Sequence, residues 1–344
     1  MIEERKKYLT RKAETDREIE NFARKYGTPE TTEFFRQILT TVVKFALDQA
    51  ESADLRLINI ALKELRHAFR VFDKYQDIPK ATLWGSARCR ADSAEYKMAF
   101  EFARQLTDQG FMVITGGGRG VMEAGNRGAG NKSFGVNIQL PKLQPANPDI
   151  VKGEKLIKFR YFFTRKLIFV KESNATVLFP GGFGTMDEAF EILTLFQTGK
   201  TTPRPIVMVE PPRSRFWRNW LNFVKREMLK SDFIAHDDLD LFEIVDSVER
   251  GVAAIIDYYR VYHSIRFVGP LTVIRLKKIL PAAVVGELNC QFADLLVSGK
   301  IEAAAATPEE IADKDFTSLP RLVMNYNRTS AGRLNELIKR INTF

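Results

Sequence analysis

The sequence predicts an α/β chain built on a doubly wound parallel sheet, and three observations lead there. From Ala81 to Tyr259, short apolar strands alternate with amphipathic helices, the pattern of a parallel sheet covered on both faces. Two of those strands run straight into glycine-rich turns followed by helices. The composition, 45% hydrophobic and 28% charged over 344 residues, is that of a chain able to bury a sizeable core, which excludes a disordered or fibrous protein.

Taken in order, residues 1–20 are densely charged and predict a frayed or helical lead-in. Phe35, Ile38, Val42 and Phe45 then share one helix face, and Ile58, Leu62, Leu65, Phe69 and Phe72 share another. Asp77 and Pro79 mark residues 74–80 as a linker. Strand Ala81–Trp84 ends in Gly85-Ser86-Ala87-Arg88. The next helix, with Met98, Ala99, Phe102, Ala103 and Leu106 on one side, is stopped by Gly110. Strand Phe111–Thr115, a glycine turn and a helix from about Gly120 follow, and strand Gly135–Leu140 ends at Pro141. A basic-aromatic helix is expected over Glu154–Glu172. Strand Ala175–Phe179 leads into the second glycine turn and a helix over Thr185–Gln197. Strand Pro205–Val209 and helices Phe216–Leu229 and Val248–Tyr259 complete the unit. After Tyr262 the pattern restarts with strand Leu271–Leu276, helix Ala282–Val297, strands Ile301–Ala305 and Arg321–Tyr326, and helix Ala331–Ile341. The expected domains are 1–79, 80–262 and 263–344.

Several function classes fall away. Two cysteines, Cys89 and Cys290, make neither a disulfide framework nor a four-Cys zinc site, and three histidines lack an H-x-x-x-H pair. No apolar run reaches membrane-spanning length, and the first residues carry no signal-peptide core, so a cytoplasmic protein is expected. Against 43 Asp+Glu, the 52 Lys+Arg give +9, but the cations are scattered among acids. Solvated faces and a small anionic substrate account for that excess better than nucleic acid.

The chemistry concentrates in the turns. Thr115-Gly116-Gly117-Gly118-Arg119-Gly120 can bring backbone N–H groups against a ligand with no Cβ in the way, and the helix behind it favours an anion. No lysine follows to reach a terminal phosphate, which argues against an NTPase. The second turn, Pro180-Gly181-Gly182-Phe183-Gly184-Thr185, exposes further N–H groups, and the Thr185 hydroxyl can cap the helix or meet a phosphate oxygen. Thr185 and Glu188 stand at capping-box spacing, so Glu188 either closes the helix start or is a carboxylate held beside a phosphate-bearing ligand. Upstream, Arg165 and Lys166 are either solvated or offer a fork and a point charge to an anion.

Thr-Gly-Gly-Gly-Arg-Gly-Val-Met, the Arg165-Lys166 pair and Pro-Gly-Gly-Phe-Gly-Thr-Met-Asp-Glu, in this order, resemble the LOG (Lonely Guy) family, often labelled "lysine decarboxylase", with its motif PGGxGTxxE. The likeness covers about Lys80 to Arg260. It implies a Rossmann-like fold, a homodimer or larger homo-oligomer, and hydrolysis of the N-glycosidic bond of nucleoside 5′-monophosphates, AMP or N6-modified cytokinin forms. The apolar stripe Ile58–Phe72 offers surface for such assembly. On this reading Arg165 and Glu188 are catalytic, and Ser86, Gly116, Gly117, Gly118, Lys166, Gly181, Gly182, Gly184 and Thr185 bind substrate. No metal or redox cofactor is required. Asp187 stands where many members have Glu, and the regions before Lys80 and after Tyr262 lie outside the short members. The alternative is a nucleotide- or cofactor-binding carrier of the same fold without turnover. A DNA-binding relative lacks its basic stripe, and a pyridoxal enzyme lacks a setting for its lysine.

Overall fold

The computed structural model describes residues 8–140, 146–150 and 153–344, which form two compact units, one ending at Arg66 and one spanning His67–Phe344. The first unit holds helices α1 (Ala13–Tyr26) and α2 (Thr32–Leu47) and most of α3 (Ser52–Asp73). The charged lead-in thus contains a true helix, carrying acids in its first turn and Arg24 and Lys25 in its last, where they complement the helix dipole.

The second unit opens with a sheet of seven strands among the described residues: β1 (Lys80–Trp84), β2 (Met112–Thr115), β3 (Ser133–Ile138), β4 (Leu156–Phe159), β5 (Ala175–Leu178), β6 (Ile206–Val209) and β7 (Glu243–Val245). All their pairings are parallel, in the order β4-β3-β2-β1-β5-β6-β7. Every residue of β1, β2, β3, β5 and β6 is buried, as strands covered on both faces require. Helices α4 (Ala94–Asp108), α5 (Val121–Ala129), α6 (Phe162–Lys171), α7 (Phe183–Gln197), α8 (Phe216–Phe223) and α9 (Val248–Tyr258) connect or follow them. This is the Rossmann-like α/β fold. Its strand order reverses between β1 and β5, the switch point where such sheets bind ligands beyond the strand carboxyl ends.

One expectation fails on this sheet, and one strand was not expected at all. The basic-aromatic segment is not one helix, because Leu156–Phe159 pairs with β3 as an edge strand before α6 begins at Phe162. Its alternation, with Ile157 and Phe159 buried and Lys158 exposed, is a period of two hidden among charges. The three-residue β7 carries too little pattern to be read from sequence. The expected stop at Pro141 lies outside the described residues.

A second sheet follows, in the order β10-β11-β9-β8 and antiparallel throughout. It contains β8 (Tyr262–Val268), β9 (Leu271–Leu276), β10 (Leu296–Ala304) and β11 (Arg321–Tyr326), with helices α10 (Ala282–Gln291), α11 (Pro308–Ala312) and α12 (Ala331–Ile341). The expected helix to Val297 therefore ends at Gln291, and the apolar Leu296-Val297 opens a strand. Leu288 of α10 and Leu334, Leu337, Ile338 and Ile341 of α12 pack on Ile274, Leu276, Leu322 and Met324 in one core. Glu310 of α11 lies on fully buried ground between Arg275 of β9 and Arg321 of β11, 2.8 and 2.5 Å away.

Where α12 meets the 3₁₀ turn His236–Leu241, a Cβ on Gly332 would stand 1.8 Å from the Asp237 carbonyl oxygen. Gly332→Ala must push the two apart, so a loss of about 1–3 kcal/mol is expected in urea unfolding. A variant of parental stability would show that the helix can slide freely. Among the described residues, no helix is long and apolar enough to cross a membrane.

Candidate active site

Three turns meet at the carboxyl edge of the sheet. The Ser86 amide after β1 donates to the Pro180 carbonyl after β5 (3.0 Å), and the Val121 amide after β2 donates to the Ser86 carbonyl (3.1 Å). Gly120, at φ +66°, passes so near that a Cβ would stand 2.2 Å from the Ser86 oxygen. A Cβ on Gly181 would meet the Thr185 hydroxyl at 2.1 Å and the Ser86 amide at 3.0 Å. Ser86, Gly181 and Thr185 therefore form one knot, while Gly182 and Gly184 face open space.

Gly116, Gly117 and Gly118 are buried, and asparagines hold their carbonyls. Asn137 Nδ2 donates to Gly116 O (3.2 Å), the Asn147 amide to Gly117 O (2.9 Å) and Asn147 Nδ2 to Gly118 O (2.9 Å). Asn126 joins through Asn147 Nδ2 and the Thr115 hydroxyl. With these carbonyls satisfied inside the fold, the turn is fixed in shape rather than loose. Sequence reasoning missed all three asparagines, because single amides scattered over 126–147 carry no spacing signal.

Helix α7 begins at Phe183, with Gly182 at its cap and no side-chain cap. Thr185 is thus inside the helix and the expected Thr185–Glu188 capping box does not form. Glu188 points instead into the interior at 5% exposure, beside the edge-to-face pair Trp84–Phe169 and Ile192. Arg165 Nη2, from α6, donates to Glu188 Oε1 at 3.4 Å, and its guanidinium lies over the rings of Phe162 and Phe169. Among the described residues the buried Arg165 Nε has no partner. Lys166 Nζ lies 2.8 Å from Glu191 Oε2, 2.9 Å from Asp187 Oδ2 and 3.4 Å from Glu188 Oε2.

The electrostatics follow from burial. Loss of water pushes the Glu188 carboxyl up to about 7, against the pull of Lys166 and Arg165 and with a push from Glu191 and Asp187. The same loss lowers the Arg165 pKa, against Glu188 and Asp187. At Lys166 burial also works against the charge, but the bonds to Glu191 and Asp187 outweigh it and the pKa rises. A carboxylate poised near neutrality beside a cation, next to the open N-terminus of a helix, can stabilise a developing positive charge and take a proton from water.

Residues 114–255 match the family described as "Possible lysine decarboxylase". Over 172 residues the chain is 28% identical to the cytokinin riboside 5′-monophosphate phosphoribohydrolase of Mycobacterium tuberculosis, spanning 46% of this chain and 83% of that protein. Over 131 residues it is 30% identical to a protein of Archaeoglobus fulgidus named only as uncharacterized, spanning 38% and 82%. Among solved structures, the molybdenum cofactor carrier protein of Chlamydomonas reinhardtii is 22% identical, with a TM-score of 0.36 over 52% of this chain and 96% of that one.

Proposed function

The chain belongs to the LOG family, and from that premise we propose that it hydrolyses the N-glycosidic bond of nucleoside 5′-monophosphates, AMP or N6-modified forms, to free base and ribose 5-phosphate. The observation that carries the reading is the buried Arg165–Glu188 pair beside the open Gly182–Gly184 helix start. Water adds at C1′ while the C1′–N bond breaks, and the base leaves with the electron pair and takes up a proton. Glu188 faces the cationic ribose and accepts the water proton, and Arg165 holds Glu188 and the nucleotide in place. The N–H groups of Gly181, Gly182 and Gly184 and the Thr185 hydroxyl take the 5′-phosphate, with Ser86 and Gly116–Gly118 closing the crevice.

The helices that carry Arg165 and Glu188 leave Phe163, Leu167, Phe183 and Phe190 exposed, which supports a homodimer or larger assembly. Light scattering at micromolar concentration tests it, and an active monomer would contradict it.

Phosphate binding far from the reacting bond serves to position it, so adenosine should be cleaved on the order of 10²-fold more slowly than AMP in kcat/KM. Chromatography for free adenine and ribose 5-phosphate reads the result. Equal rates would remove the role given to the Gly181–Thr185 turn. AMP binding with no release of base would replace the hydrolase reading with that of a nucleotide carrier.

A further inference from the structure

Lys166 stands apart from the other cations of the site. An ammonium has three N–H donors. Here two are spent at short range on Glu191 and Asp187, and the third faces Glu188 Oε2 and the Asp187 carbonyl, both at 3.4 Å. None remains for a phosphate, and the side chain is only 15% exposed. Arg165 next to it keeps an unpartnered Nε. Asp187 and Glu191 lie one turn apart on α7 with Glu188 between them, so one cation from α6 is shared by three carboxylates of the facing helix.

We propose that Lys166 is a positioning residue: clamped by Asp187 and Glu191, it favours the ionised form of the Glu188 carboxylate and keeps it turned toward Arg165, and does not bind the substrate phosphate. The inference rests on the reading of Glu188 as the working carboxylate. The charged groups facing Glu188 are Arg165 and Lys166 from α6 and Asp187 and Glu191 from α7, while the sheet beneath offers uncharged Thr82 and Thr176. Without Lys166, Arg165 alone would face three carboxylates, and the first to give up its charge is the buried one.

The test uses the full chain labelled with ¹³C at glutamate carboxyls, with the Glu188 resonance assigned by its loss in Glu188→Gln. In Lys166→Met its titration midpoint should rise by about one pH unit or more, and Lys166→Arg should restore it. The acid limb of kcat/KM for AMP should move with it, while KM at high pH stays within about twofold. An unmoved midpoint overturns the proposal, and an unmoved midpoint with a KM raised about tenfold makes Lys166 a phosphate ligand. If Lys166→Met does not fold, Lys166→Gln carries the same readout. If the parent chain releases no base from any nucleotide, the hydrolase reading fails, while the resonance still decides the role of Lys166.

Discussion

Glu188→Gln should lower kcat on AMP on the order of 10²–10³-fold, about 3–4 kcal/mol of lost transition-state stabilisation, and at the same time raise the melting temperature at pH 8. The first effect comes from removing the negative charge opposite the developing cation. The second comes from burial. The folded-state pKa of about 7 lies above the ordinary 4.5, so between those values the folded chain holds a proton that the unfolded chain releases. The favourable contribution is present in full below pH 4.5 and is lost as pH rises through 7. Above pH 7 the ionised carboxylate then weighs on the fold by about 3 kcal/mol, from the shift and the free energy of one pKa unit. A neutral amide removes that weight, so the gain in stability should be clear at pH 8 and vanish near pH 4. With no cap to lose at the start of α7, the substitution has no compensating local cost there. A variant that melts lower at every pH and turns over at the parental rate would make Glu188 a structural residue and shift attention to Asp187.

The largest stability loss is expected far from this crevice, at Glu310→Ala. Arg275 and Arg321 stand directly opposite each other on β9 and β11, an arrangement of like charges that is unfavourable unless an acid lies between them. Glu310 supplies it, one oxygen to each guanidinium, and accepts the Thr307 amide as half of a capping box. Burial pushes its carboxyl up, but the Thr307, Arg275 and Arg321 bonds win and hold it below the usual range. Removing it strands two buried cations: Arg275 keeps Asp315 at 2.5 Å, and Arg321 keeps the backbone carbonyls of Phe316, Thr317 and Leu319. A loss of about 3–5 kcal/mol is expected in urea unfolding of the full chain. Replacing all three residues by apolar side chains should recover much of it, which a double- and triple-mutant series checks. A single variant within about 1 kcal/mol of the parent would show that water reaches the pair.

What could be read from the sequence tracks how local its cause is. The strands around β1, β2 and β5 were legible because burial on both faces leaves an unbroken apolar run, and the turns behind them because only glycine serves there. Edge strand β4 was not, since one solvent-facing lysine among basic neighbours looks like a helix surface. Arg165 and Glu188 were legible as residue types in a pattern, whereas their contact joins helices separated by a strand and a turn. The bonds that commit Lys166 to α7, and the asparagines behind Gly116–Gly118, are set by tertiary approach alone.

The order of the strands also has a kinetic side. The first long-range partner of β1 is β2, where Ala81 pairs with Val113, but its other neighbour is β5, where Ala81 pairs with Ala175. Everything between must be synthesised and set aside before the centre of the sheet can close. A chain emerging from the ribosome can form β1 through β4 on one side, yet it has a raw central edge until Ala175–Leu178 arrives. The two glycine turns lie on opposite sides of that delay, so the crevice is assembled by the slowest, highest-contact-order step of the sheet. Any nascent or clipped fragment ending before Ala175 would carry an aggregation-prone strand edge and no site at all.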